Sequence, residues 1–98
     1  MAKVAIAKRR AKRLAAASVT HSPELKSWLQ CLYSVVNDTA VPFGMQMYAT
    51  EVEAIGSANE TLKTADADWV EVPDADVEQY ITERTRNKWT VADRSSGR

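Results

Sequence analysis

Charge is segregated along this chain, and the segregation limits which parts can share a core. From Met1 to Pro23 there is no acidic residue, while Lys3, Lys8, Arg9, Arg10, Lys12 and Arg13 crowd one short stretch. Between Glu24 and Glu83 twelve carboxylates stand against only Lys26 and Lys63. The segment after Glu83 turns basic again, with Arg84, Arg86, Lys88, Arg94 and Arg98 opposed by Asp93 alone. The formal net charge of zero is therefore a cancellation between blocks. Such sorting predicts electrostatic partners for the ends and a differently charged body between them.

A chain of 98 residues holds one small domain. With the ends set aside, about 70 residues remain for a core, a size at which folding alone is marginal and a bound partner or self-association is expected. The apolar fraction of 45% is ordinary for a globular protein. No apolar run approaches the ~20 residues that a membrane helix needs. Cys31 is the only cysteine. It rules out an internal disulfide and a multi-cysteine zinc site, fits a reducing compartment, and in the apolar run Leu29 to Tyr33 reads as a buried, inert thiol.

The start of the chain lacks the apolar centre of a secretory signal. Its Arg, Ala and Ser content is that of a mitochondrial presequence, but a helical wheel sets Ile6 among Arg10 and Arg13. The opposite face is mostly alanine, too slight for a membrane-surface helix. The expected location is intracellular or virion-associated, not secreted.

Periodicity predicts a mainly α fold: a small helical domain of about three helices over residues 22–91, a basic arm over 1–21 and a polar tail over 92–98. Residues 2–17 are good helix formers, but repulsion among six cations opposes a helix until a partner neutralises them. Disorder that becomes helical on binding is expected there. Ser22-Pro23-Glu24 reads as a helix start, followed by Leu25, Trp28, Leu29, Leu32, Tyr33 and Val36 at helical spacing and stopped at Asn37-Asp38. Pro42 offers a second start. Met45, Tyr48, Val52, Ile55, Asn59 and Leu62 then follow at heptad spacing, as a face for the first helix or for a partner, with polar Asn59 able to set register. Alternation from Phe43 to Ala49 gives residues 42–49 a competing strand reading, and the helix is expected from about Thr50 onward. Trp69-Val70-Glu71-Val72 reads as a short strand near 69–72 ended by Pro73, and Asp74 as the cap of a last helix. Val77, Tyr80 and Ile81 form that helix's apolar face, extended by Trp89 and Val91.

Little in the chain signals catalysis. His21 is the only histidine, which excludes a two-histidine metal site, and the three glycines form no phosphate loop. A calcium loop begun at Asp66 would put Glu71 where glycine is needed and Val77 where a bidentate glutamate is needed. Asp66, Asp68, Asp74 and Asp76 read instead as loop and capping residues. The expectation is a protein that is not an enzyme and needs no cofactor or metal.

Two binding roles follow. In the first, Lys3, Lys8, Arg9, Arg10, Lys12 and Arg13 hold the phosphate backbone of DNA or RNA while the acidic body docks on protein, as in a virion or another nucleoprotein assembly. No aromatic residue interleaves this run, so base stacking is not indicated. In the second, an assembly or adaptor protein, the same cations lie on the acidic face of a neighbouring subunit and nucleic acid plays no part.

Overall fold

Ala2–Ala11 and Leu14–Ser22, expected as a disordered or helical arm, are strands β1 and β2. They pair antiparallel with Val4 opposite Ser18 and Ile6 opposite Ala16. β3 (Ser27–Val36) and β4 (Thr39–Tyr48) follow, then helix α1 (Glu51–Leu62), strand β5 (Val70–Val72) and helix α2 (Val77–Thr85). This computed structural model describes residues 1–11 and 14–86, and of residues 9–11 the backbone alone. One antiparallel sheet of five strands runs β4-β3-β2-β1-β5. The mainly α, three-helix expectation is thus overturned, and the cationic segment is part of the body.

The helices cover opposite faces of the sheet. Alternate residues of a strand face opposite ways. Ala2, Val4, Ala16, Cys31 and Tyr33 pack with Val77 and Ile81 of α2. Ala7, Ala15 and Ala17, on the other face, pack with Ala58 and Leu62 of α1. Ala5, Ala7, Ala15, Ala16 and Ala17 are at most 1% exposed. Small side chains on both faces let a helix layer approach each side closely, which explains alanine in strands despite its weak β propensity.

The turn chemistry was legible, but not which elements it joins. Ser22-Pro23-Glu24 does not start a helix; it enters the β2–β3 turn. There the Ser22 hydroxyl accepts the Leu25 N–H at 3.3 Å, and Lys26 adopts a φ of 51°. The periodic run behind it is β3. Asn37 and Asp38, both at positive φ, form the two-residue turn of the β3–β4 hairpin, where Val36 pairs with Thr39. Pro42 begins no helix but lies in β4, beside a shift of register at Leu32/Tyr33. Residues 42–49 therefore follow the strand reading as far as Tyr48.

Local signals did mark α1. Thr50 caps it by accepting the Glu53 N–H at 3.2 Å, while its own hydroxyl donates to the Glu53 carboxylate at 3.0 Å. Gln30, 2% exposed, donates from Nε2 to the Ala54 carbonyl at 2.8 Å and so fixes α1 on β3. Among the described residues no helix is long and apolar enough to cross a membrane.

Candidate nucleic-acid interface

Antiparallel order gives the sheet two distinct ends. β1 and β3 run toward one of them, and β2 and β4 return from it. Lys8, Arg9 and Arg10 lie in the half of β1 nearest that end, beyond the Ala2 to Val4 stretch paired with β5. Ala11 pairs with Leu14 at the same end, and Lys12 and Arg13 lie outside the described residues. α2 runs the same way. The Ala40 N–H donates to the Thr82 hydroxyl at 2.9 Å, which sets the last turns of α2, with Arg84 and Arg86, beside the start of β4. Two cationic segments more than 70 residues apart in sequence thus converge on one end of the fold.

Carboxylates gather at the other end. Glu24 lies in the β2–β3 turn, Glu51 and Glu53 in the first turn of α1, and Asp74 and Asp76 just before α2. Lys3 belongs with this group: its Nζ lies 3.1 Å from the Glu51 carboxylate, so it stands apart from the other cations. Lys8 lies 3.7 Å from Asp68 with its side chain 65% exposed, a contact that solvent and salt screen heavily. Among the described residues Asp38, Asp68 and Glu83, with Glu60 near the end of α1, lie toward the basic end. Arg84 rests over the Tyr80 ring, 5.0 Å from its centroid. Lys88, Trp89, Val91 and the 92–98 tail lie outside the described residues.

The heptad-spaced residues do not form one face. Met45 is 61% and Val52 80% exposed, Ile55 is half-buried, and Leu62 is buried in the core. Tyr48 is tied down by its hydroxyl, which donates to Gln46 at 2.6 Å and meets the Ser57 hydroxyl at 2.8 Å. Asn59 works within its own chain. Its Oδ1 accepts from the Trp69 indole and the Thr64 hydroxyl, and its Nδ2 donates to Asp66, all at 2.8 Å.

The acidic residues have structural partners too. Asp68 accepts the Ala65 N–H at 2.8 Å, and Asp74 lies 3.5 Å from the terminal ammonium. Among the described residues no three His, Cys, Asp or Glu side chains cluster as metal ligands. Cys31 is buried, and burial raises its pKa, with the Tyr33 hydroxyl opposing through a hydrogen bond and Glu78 adding to the rise. His21 lies against Trp28, ring centroids 4.8 Å apart.

Sequence reasoning missed the convergence of residues 8–10 with 84–86. Only strand order and helix direction could reveal it. Comparison with protein-family models, curated proteins and solved structures finds no match.

Proposed function

We propose that this is a non-enzymatic accessory protein whose basic end holds the phosphate backbone of DNA or RNA while the rest of the body docks on protein, inside a cell or a virion. The observation that carries the reading is the meeting of the β1 segment Lys8-Arg9-Arg10 with Arg84 and Arg86 at one end of the sheet. Counterions released from phosphates by such a cluster drive binding without base contacts. Placing Glu24, Glu51, Glu53, Asp74 and Asp76 at the opposite end weakens the main objection to a polyanion partner, the negative charge of the middle segment.

The test is binding to duplex and single-stranded nucleic acid across a salt series. Five to seven phosphate contacts give a slope of log K against log salt of about −4 to −6 on duplex, and Arg9→Ala with Arg10→Ala makes it shallower by about 2. No affinity at low salt, or a slope the double variant leaves unchanged, overturns the reading. The polar distribution of charge also supports a second role, head-to-tail assembly of basic end on acidic end. That role is distinguished by self-association that salt dissolves and that the same double variant abolishes.

A further inference from the structure

The two edges of the sheet are built differently. β5 is three residues long, carries Glu71, and is followed by Pro73 and Asp74. β4 is ten residues long and carries no charged side chain. A free edge recruits other strands unless charge, proline or a covering segment blocks it.

Only the first half of β4 has such protection. The two-residue turn makes Val36–Thr39 the hydrogen-bonded closing pair, so the backbone groups of Ala40 and Pro42 point outward. The Ala40 N–H is satisfied by Thr82, and Pro42 has no N–H to offer. Past the register shift, Gly44, Gln46 and Tyr48 turn their backbone groups to β3, while Met45 and Met47 turn theirs outward. β3 is the only strand paired with β4 among the described residues.

The side chains add an apolar shelf. Met45 and Met47, opposite Cys31 and Leu29, are each 61% exposed. Beside them lies a groove of about 340 Å³ lined by Leu29, Cys31, Pro42 and Met45, with Asp74 and Glu78 also on its wall. Gly44 is a second, independent sign. Its φ is not positive and a Cβ there would meet nothing within 4 Å, so the chain's own fold has no need of glycine. Glycine weakens a strand interior and marks close approach by another backbone.

We propose that β4 pairs antiparallel with β4 of a second copy about a two-fold axis at Gln46, joining two sheets into one of ten strands. Met45 of each copy exchanges both backbone hydrogen bonds with Met47 of the other. Gly44 stands opposite Tyr48 of the other copy, in the non-hydrogen-bonded kind of pair where strands come closest. A second copy is the fitting occupant because a two-fold sets this strand against its own image, and an uncharged strand brings no like charges together.

The test is sedimentation equilibrium of the full chain, freed of nucleic acid, at low and high salt. The expected mass is twice 10.9 kDa at both, unlike the salt-sensitive head-to-tail contact. Met47→Pro removes an outward N–H without touching the β3 ladder and is expected to return the mass to 10.9 kDa. Met47→Lys, which keeps the backbone intact, is expected to do the same by charge repulsion at the edge. A monomeric wild type at high micromolar concentration overturns the proposal, as does a dimer that survives Met47→Lys. A monomer that dimerises only after residues 87–98 are removed also overturns it, since the chain's own tail would then be the cover.

Discussion

Tyr33 shows how a single buried hydroxyl couples this core to pH. Its side chain lies on the α2 face of the sheet, 7% exposed, and its pKa is pushed up to about 12, chiefly by burial. The Ser18 hydroxyl, donating at 3.5 Å, opposes that rise, and Cys31 adds to it. The Cys31 thiol beside it is also raised from 9.0, again chiefly by burial. Both groups are more acidic in the unfolded chain, so folding favours their neutral forms. The resulting stability is complete below the ordinary thiol value and is lost as pH rises toward about 12. Tm is expected to hold to about pH 9 and fall steeply above it. Tyr33→Phe removes the steepest part at a neutral-pH cost of about 1 kcal/mol or less. Thermal melts of both proteins across that range check this, and parallel profiles would refute it.

Among the elements, the strands rather than the helices depart from what local propensity predicts. Alanine ranks first for helix, yet Ala5, Ala7 and Ala15 to Ala17 sit in β1 and β2, because a strand covered on both faces needs small residues more than β-branched ones. The same two-sided cover hid β3. When Trp28, Leu29, Leu32 and Tyr33 are all at least partly buried, period-two alternation vanishes and a helical spacing can be found by accident. β4, exposed from Val41 to Met47, kept its alternation and could be read as a strand. α1 was readable from about Thr50 onward because Val52, Ile55, Asn59 and Leu62 recur at spacings of three and four. Ala58 of α1 is fully buried against Ala7, Ala15 and Ala17, which leaves no room for a larger side chain. Ala58→Leu is expected to cost about 1–3 kcal/mol. For a chain this size that lowers Tm by roughly 5–20 °C in a calorimetric scan, and an unchanged Tm would mean that α1 does not pack this tightly.

At the scale of the whole molecule, the N-terminal strand is the test of integrity. β1 pairs with β2 on one side and β5 on the other, and Ala2, Val4, Ala5 and Ala7 are at most 1% exposed. Removing residues 1–11 is expected to abolish cooperative unfolding followed by circular dichroism, whereas loss of a detached arm would leave the melt unchanged. The basic end proposed for nucleic acid is thus anchored by the same strand that holds the sheet together.

Residue types and their order alone determined the charge of each segment, the break at Asn37-Asp38, the helix from about Thr50 and the uncharged run that became β4. These depend on side chains within a few positions of one another. Tertiary structure alone decided that residues 2–11, 14–22 and 27–36 are strands, because burial on both faces erases the pattern by which a strand is recognised. It alone brought residues 8–10 and 84–86 to one end and left one edge open among the described residues, since strand order joins what the chain keeps far apart.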